Sequence, residues 1–310
     1  MAEVIIKNIV KTYTNASVLA LNNVSLTIAS GELFGLIGPD GAGKTTLFRI
    51  LATLLIPDSG SAKVLGFDTI KDYQAIRKIV GYMPGKFSLY QDLTVEENLN
   101  FFATVFNTSL EKNQYLIDEI YSQIAPFKKR LAGKLSGGMK QKLALCCALI
   151  HEPRILLLDE PTTGVDPVSR KEFWDMLDRL KNRGITIIVS TPYMDEASRC
   201  DRIALIQKGK ILEVETLENI KLKHNNPLFA VQSPNRHTLI AEIRSFKNTK
   251  SCFAFGETNH VSFVNGIDDF ELLKEYLKEK GLTDIVSSQI APGIEDIFIQ
   301  LILENEAINA

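Results

Sequence analysis

The stretch GPDGAGKT, residues 38–45, has the residue types and spacing needed to bind phosphate groups. It fits the pattern G-x-x-x-x-G-K-[ST], with a short apolar run before it and a helix-forming stretch after it. We expect the backbone N–H groups from about Gly41 to Thr46 to point inward at the positive end of that helix. Lys44 would then reach the β- and γ-phosphates, and the Thr45 hydroxyl would hold Mg²⁺. The candidate binding residues of this loop are Gly38, Pro39, Asp40, Gly41, Ala42, Gly43, Lys44, Thr45 and Thr46.

Two acidic residues end the later apolar run ILLLDE, residues 155–160. A carboxylate at the end of a buried strand can hold Mg²⁺, directly or through water, and Asp159 has this position. Glu160 beside it is placed to orient and polarise an attacking water, which makes it the candidate catalytic residue. Two acids that merely end a strand would be an equally good interpretation if the phosphate-binding pattern were absent.

The segment KLSGGMKQKL places Ser136, Gly137 and Gly138 at the start of a predicted helix. Serine is a good N-cap, but two glycines weaken a helix start unless another group must approach the backbone closely. A second phosphate group is one such partner, so these three residues are also candidate nucleotide ligands.

Short apolar runs alternate with helical patterns over most of the chain, which predicts an α/β fold with a mostly parallel sheet. The stretch 95–150 is helical only and is interpreted as an inserted helical subdomain, from about residue 92 to 150. The predicted strands are EVIIKNIV, NVSLTI, AKVLGF, Leu33–Ile37, 155–159 and 185–190. The predicted helices are 44–55, 95–106, 111–124, 137–150 and 168–182, and a further helix is expected to begin near Tyr193.

A polar run, KLKHNNP at residues 221–227, predicts a linker, and hence domains at 1–222 and 223–310. The order β-α-β-β-α-β that follows is typical of a small ferredoxin-like α+β domain, with a last helix at 293–305. Its predicted elements are strands 228–232, 251–256, 260–264 and 284–290 and helices 236–246 and 268–280.

Bulk composition narrows the class of protein. The chain has 310 residues, and its formal net charge of −2 argues against nucleic acid as a partner. No apolar run approaches the ~18 residues of a membrane-spanning helix, and the start MAEVIIKN is unlike a signal peptide. The four cysteines and four histidines show no metal-binding spacing, and the cysteines are expected to be buried thiols in a reducing compartment.

The order of motifs, GPDGAGKT, LSGGM, LLLDEP and GVDP, resembles the nucleotide-binding subunit of an ABC transporter over roughly residues 1–222. The resemblance implies the ABC-ATPase version of the P-loop NTPase fold, with an N-terminal antiparallel β-subdomain. It implies ATP and Mg²⁺ as cofactors, and two subunits that bind two ATPs head-to-tail, each site combining one phosphate-binding loop with the partner's LSGG. Tyr13 matches the aromatic residue that stacks on adenine, and Asp166 matches a loop that crosses to the partner subunit.

The ending APGIEDIFIQLI, residues 291–302, is similar to that of drug-resistance type exporter ATPases. The membrane partners of those ATPases are separate integral permease subunits. The resemblance therefore implies a cytoplasmic subunit, peripheral at the inner face of the membrane. Other ABC classes fit less well, since a long coiled-coil insertion and a second phosphate-binding loop are both missing.

Two positions depart from the family pattern. Where the family has a glutamine that ligates Mg²⁺ after GYMP, this chain has Gly85, and Lys86 next to it has the wrong charge. Where the family has a histidine that contacts the γ-phosphate, in STPYMDEA at residues 190–197, this chain has Pro192. Removing one well-placed group commonly lowers a rate by about 10²–10³, so we expect binding to persist and turnover to be slow.

These departures leave several hypotheses open. The favoured one pairs this chain with a different, fully equipped ATPase subunit; the others are a homodimer with two slow sites and a regulatory subunit that binds nucleotide without hydrolysing it. Contact with the permease is expected just after Gly85, where Phe87, Leu89 and Tyr90 precede a helix with a Thr94–Glu97 capping box. Burial of this loop on the helical subdomain is the alternative.

Overall fold

A computed structural model describes residues 2–13, 18–86, 88–224 and 226–309. The chain divides into two compact units, Met1–Leu217 and Glu218–Ala310. The boundary after Leu217 lies five residues before the one expected from the sequence, after residue 222. The polar run at 221–227 begins inside a short helix, Leu217–Lys223. Each unit is described by itself.

Within the described residues the first unit contains ten strands and six α-helices, and a seventh helix crosses from it into the second unit. The strands are β1 Ala2–Tyr13, β2 Val18–Ala29, β3 Leu33–Ile37, β4 Ser59–Val64, β5 Phe67–Asp68, β6 Val80–Met83, β7 Ile155–Asp159, β8 Thr186–Thr191, β9 Arg202–Gln207 and β10 Lys210–Glu215. The helices are α1 Lys44–Leu51, α2 Tyr73–Ile79, α3 Val95–Val105, α4 Leu110–Tyr121, α5 Gly137–Leu149, α6 Pro167–Asn182 and α7 Leu217–Lys223.

A six-stranded sheet with the order β10-β9-β3-β8-β7-β6 forms the centre of this unit. Its neighbouring strands are parallel except for the β9–β10 pair at one edge. Every residue of β3, β7 and β8 is buried, which explains why apolar residues follow one another in these strands rather than alternate with polar ones. The predicted α/β fold is confirmed, and the carboxyl ends of these three strands lie together at one edge of the sheet.

A second sheet, β2-β1-β4-β5, is antiparallel throughout. Between β6 and β7 the described chain is helical: α3, α4 and α5 pack on one another with two 3₁₀ turns, Ala125–Phe127 and Ala132–Lys134. The predicted capping box is present, since the Thr94 hydroxyl accepts from the N–H of Glu97 while the Glu97 carboxylate accepts from the N–H of Thr94.

Two predicted helices differ from the observed ones. The helix predicted at 44–55 ends at Leu51, because Thr53 adopts a left-handed backbone (φ +60°) that an α-helix cannot continue. The helix predicted from Tyr193 is a 3₁₀ segment, Met194–Arg199. The elements β5, α2, β6, β9, β10 and α7 have no counterpart in the prediction. Of these, β5, β6 and the seven-residue helices α2 and α7 are too short to show a clear period.

The second unit has the element order β-α-β-β-α-β followed by a helix. Its strands form an antiparallel sheet with the order β12-β13-β11-β14, and Phe229 stacks on Phe270 in its core at 4.0 Å between ring centres. The elements are β11 Leu228–Gln232, α8 Arg236–Ser245, β12 Thr249–Phe255, β13 Thr258–Phe263, α9 Ile267–Glu279, β14 Val286–Ile290 and α10 Ile294–Asn309.

Among the helices described in both units, none has the length and apolar character needed to cross a membrane.

Candidate nucleotide-binding site

The loop Gly38–Thr45 connects β3 to α1, as its sequence predicts. Gly41 and Gly43 have φ angles of +77° and +105°, which residues other than glycine rarely adopt. At Gly43 a Cβ would also lie 2.4 Å from the carbonyl oxygen of Ala20, so glycine is required there twice over. The N–H of Gly38 donates to the carbonyl of Thr191 at 3.2 Å, which joins the loop to the end of β8.

Lys44 is held inside this loop and is 3% exposed. Its ammonium group donates to the carbonyls of Gly38 at 2.7 Å and Pro39 at 3.0 Å. It also lies 3.1 Å from a carboxylate oxygen of Glu160. The structure thus brings the candidate phosphate-binding cation and the candidate catalytic carboxylate together. Asp40, by contrast, is exposed at the tip of the loop.

Asp159 and Glu160, at the end of β7, are both positioned by Ser190 at the end of β8. The backbone N–H of Glu160 donates to the carbonyl and to the hydroxyl of Ser190, each at 3.0 Å. The same hydroxyl donates to the buried Asp159 carboxylate at 2.6 Å. Glu160 has a positive φ of +50°, uncommon for a residue other than glycine. Ser190 was missed as a site residue, because its role depends on β7 and β8 being neighbours.

Tyr82 on β6 is a further neighbour of Asp159. Burial, and to a smaller extent the charge of Asp159, raise the pKa of Tyr82 to about 12, while Arg49 on α1 opposes both. The phenol is therefore neutral at physiological pH and adds no second negative charge beside Asp159. No sequence motif indicated this residue.

The structure places both departures from the family pattern beside the candidate site. A Cβ on Gly85 would lie 3.0 Å from the carbonyl oxygen of Asp159 and 3.8 Å from its carboxylate. Pro192 directly follows β8, whose last residue, Thr191, contacts the phosphate-binding loop through its carbonyl oxygen. A side chain at position 85 would therefore begin beside Asp159, and Gly85 supplies none.

Tyr13, at the end of β1, lies beside the start of α1. Its hydroxyl is 3.3 Å from the hydroxyl of Thr46, and the ring is half-buried. The loop's half-buried Thr45 precedes Thr46, which is itself buried. Tyr13 is thus at the edge of the phosphate-binding loop rather than on a remote surface.

The residues of the LSGG segment form a separate group against α6. Ser136 caps α5 by accepting from the N–H of Met139. The close approach expected at the two glycines is present at Gly138, but the approaching group belongs to the same chain: a Cβ there would lie 2.6 Å from the Ser169 hydroxyl. Ser136 and Gly137 are exposed, so only they face solvent.

Asp166 lies in the exposed loop next to this group and caps α6. Its carboxylate accepts from the backbone N–H of Ser169 at 3.0 Å, and this bond holds the pKa of Asp166 below its ordinary value. Pro167 follows at the first helical position, as the sequence predicts. The carboxylate is therefore ionised and exposed, while its cap position fixes its direction.

Comparison with known proteins gives a consistent result. The family model for "ABC transporter" matches residues 21–163. The probable multidrug ABC transporter ATP-binding protein YbhF of Escherichia coli K12 is 41% identical over 290 residues, which cover 91% of this chain and 49% of YbhF. The chain thus spans about half the length of that relative.

A second relative has a similar length to this chain. The Nod factor export ATP-binding protein I of Rhizobium sp. strain N33 is 35% identical over 91% of this chain and 92% of its own length. Among solved structures, the ATP-binding cassette MJ0796, a dimer bound to ADP and Pi in a post-hydrolysis state, has a TM-score of 0.63 and 28% identity. That likeness covers 69% of this chain and 98% of MJ0796.

Proposed function

The chain belongs to the ABC transporter family of ATP-binding proteins, and from this premise we propose that it binds and hydrolyses ATP as a subunit of a membrane export complex. The observation that carries the proposal is the 3.1 Å contact between Lys44, at the start of α1, and Glu160, directly after β7. This contact brings together a cation that can bind phosphate and a carboxylate that can orient a water molecule. We assign this activity to the unit Met1–Leu217 and treat Glu218–Ala310 as an accessory unit.

Within this proposal each group has a separate task. The N–H groups of the loop and the Lys44 ammonium bind the β- and γ-phosphates, and Tyr13 stacks on adenine. Glu160 orients the attacking water, and Ser190 fixes the backbone from which Glu160 extends.

Mg²⁺ would be held by Thr45 and Asp159, and it would neutralise charge on the phosphate oxygens. The residues present fit this ion: Asp159 offers a buried carboxylate, and Mg²⁺ commonly uses one or two protein oxygens together with substrate phosphates. A cluster of three or more His, Cys, Asp or Glu side chains is not found in the described part of the chain, and Mg²⁺ bound with ATP does not need one.

Substitution of Glu160 by Gln tests the hydrolytic role. We expect phosphate release to fall by about 10²-fold or more, because the amide cannot polarise the water, while ATP affinity changes less than about threefold. The assays are release of inorganic phosphate and equilibrium binding of ATP by the purified chain. Glu172→Gln, which alters a half-exposed carboxylate on α6, is the matched control. Equal phosphate release by the wild type and Glu160→Gln would instead favour a regulatory subunit that binds ATP without hydrolysing it.

We further propose that this chain's own site is the slow one of a pair. Gly85 supplies no side chain to the Asp159 carboxylate, and Pro192 has no group that can donate to a phosphate. The exposed Ser136 and Gly137, with Asp166 nearby, are available to a second ATPase subunit. This arrangement supports pairing with a different, fully equipped subunit. A homodimer with two slow sites is the competing outcome in a test of mass and stoichiometry.

The surface after Gly85 is proposed to contact the permease. Of the three predicted residues, Phe87 lies outside the described residues, Leu89 is buried, and Tyr90 is 50% exposed. Asn98 of α3 holds the Tyr90 backbone with two hydrogen bonds of 3.0 Å. Beside this segment is a cavity of about 420 Å³, lined mainly by apolar side chains. Leu89 is therefore part of the core, whereas the Tyr90 side chain is exposed and its backbone is held in place by Asn98.

Substitution of Tyr90 by Glu should weaken association with the permease, because a carboxylate replaces an aromatic ring on an apolar surface. We expect the fraction of the chain bound to membrane vesicles carrying the native complex to fall severalfold, with ATP affinity unchanged. Tyr115→Glu is the control, since Tyr115 is equally aromatic and 61% exposed, on α4. Equal membrane binding by both variants would exclude Tyr90 from the contact.

A further inference from the structure

A buried carboxylate outside the predicted site residues connects two of its loops. Glu196, in the 3₁₀ segment after β8, is 3% exposed. It accepts hydrogen bonds from the hydroxyls of Thr162 at 2.8 Å and Thr191 at 2.5 Å. Both threonines are themselves buried, at 1% and 0% exposure. A single side chain thus joins the loop after β7 to the end of β8.

Both loops bear directly on the nucleotide site. Thr162 lies between Glu160 and Asp166 on one continuous stretch. Thr191 accepts from the N–H of Gly38 through its carbonyl, and it immediately precedes Pro192. The position of Thr162 relative to Thr191 therefore affects the distance between the loop that carries Glu160 and the loop Gly38–Thr45.

Arg170 on α6 extends the same connection. Its Nε atom lies 4.0 Å from the Glu196 carboxylate, and its guanidinium carbon lies 4.5 Å over the ring of Tyr193. The guanidinium also approaches the exposed Asp195 carboxylate at 3.5 Å. Because Arg170 lies in the first turn of α6, which Asp166 caps, this pairing connects the start of α6 to the two loops that Glu196 joins.

We propose that Glu196 is a positioning residue for ATP hydrolysis: it holds the loop from Glu160 to Asp166 in a fixed position against the end of β8. The inference rests on the proposed ATPase function. A buried charge is costly unless it is hydrogen-bonded and paired, and Glu196 meets that condition only when Thr162, Thr191 and Arg170 are all in place. Loss of the carboxylate leaves two buried hydroxyls without their acceptor and releases the loop that carries Glu160.

The test separates chemistry from nucleotide binding and from folding. Glu196→Ala is expected to lower kcat by about 10- to 100-fold, since a misplacement near 1 Å can cost that much, with ATP affinity within about threefold of the wild type. Glu196→Gln, which retains the volume and one acceptor, is expected to keep more activity than Glu196→Ala and serves if the alanine variant does not fold. Glu172→Ala removes a half-exposed carboxylate of α6 that pairs with Lys142 instead, and we expect it to match the wild type.

A double-mutant cycle identifies the contact itself. As a single substitution, Thr162→Val should lower kcat. In the Glu196→Ala background it should have no further effect, because both substitutions break the same Thr162–Glu196 hydrogen bond. Trp174, the only tryptophan in the sequence, lines the same cavity of about 400 Å³ as Arg170 and Glu196 and provides a fluorescence readout. MgATP is expected to change Trp174 fluorescence in the wild type and to change it less in Glu196→Gln.

The outcomes distinguish this role from the proposed function. A wild type that binds no ATP would overturn both together. If ATP binds but the Glu196 variants match the wild type in kcat per folded molecule and in the fluorescence response, only the positioning role is overturned. The same holds if the variants lose stability to urea without any change in kcat, or if the effects of Thr162→Val and Glu196→Ala are additive.

Discussion

Replacement of Lys44 by Met is expected to lower the affinity for ATP by about 10- to 100-fold and to abolish measurable turnover. A charge-assisted hydrogen bond contributes about 1.5–3 kcal/mol, which corresponds to that loss of affinity. The effect is large because Lys44 is 3% exposed and its ammonium group already points into the loop, at 2.7 Å from the Gly38 carbonyl. Equilibrium binding of ATP and release of phosphate measure the two effects separately.

The control for Lys44→Met is Lys181→Met. Lys181 lies on α6, where it forms an ion pair with Asp201 at 2.9 Å, away from the phosphate-binding loop. We expect this variant to bind ATP like the wild type. The thermal stability of both variants should be measured as well, because Lys44→Met also removes the cation that lies 3.1 Å from the Glu160 carboxylate. Wild-type affinity in a folded Lys44→Met protein would contradict the assignment of the nucleotide site.

Restoring the two missing side chains is expected to accelerate hydrolysis. The double variant Gly85→Gln, Pro192→His should raise kcat by at least about 10-fold, and as much as 10²–10³-fold if each group acts fully in the transition state. A Cβ at position 85 would lie 3.8 Å from the Asp159 carboxylate, so a glutamine amide has a short path to a metal bound there. The same Cβ meets the Asp159 carbonyl oxygen at 3.0 Å, so the local backbone must yield by a few tenths of an ångström.

Phosphate release at saturating MgATP measures this gain, with Glu160→Gln in the restored background as the blank. Pro126→His, in the exposed 3₁₀ turn of the helical subdomain, controls for the exchange of a proline for a histidine. Unchanged kcat in a folded double variant would reject the slow-site hypothesis. A wild-type kcat on the order of 1 s⁻¹ or more, typical of ordinary enzymes, would reject it as well.

Most of the fold and part of the site could be read from local sequence. The strands Leu33–Ile37 and Ile155–Asp159 were predicted with the bounds observed, because a strand buried on both faces has consecutive apolar residues. Short amphipathic elements were not predicted. Residues 73–79 form a helix of seven residues, too short for a period of 3.6 to be distinct from chance.

The interpretation of the LSGG segment shows where local reasoning needs the folded chain. Two glycines at a helix start indicate close approach by another group, and a group of the same chain does approach Gly138 closely. The identity of the group was not available from the sequence: the Ser169 hydroxyl meets this position because α5 packs on α6. One glycine is thus explained by packing within the chain, and the exposed Gly137 remains the one open to a partner's nucleotide in the proposal.

The sequence by itself determined that Gly38–Thr45 is a glycine-rich turn between a strand and a helix, because that conformation depends mainly on one short stretch. Gly41 and Gly43 have the positive φ angles that favour glycine there. It also identified Asp159 and Glu160 as the end of a buried strand.

Only the tertiary structure decided which distant groups these residues meet. The order of β7, β8 and β3 in the sheet places Ser190 against Asp159 and Thr191 against the phosphate-binding loop. Gly85 meets Asp159, and Glu196 meets Thr162, for the same reason. Contacts between residues far apart in the chain depend on strand order and on a few ångströms of packing, neither of which is encoded in any local pattern.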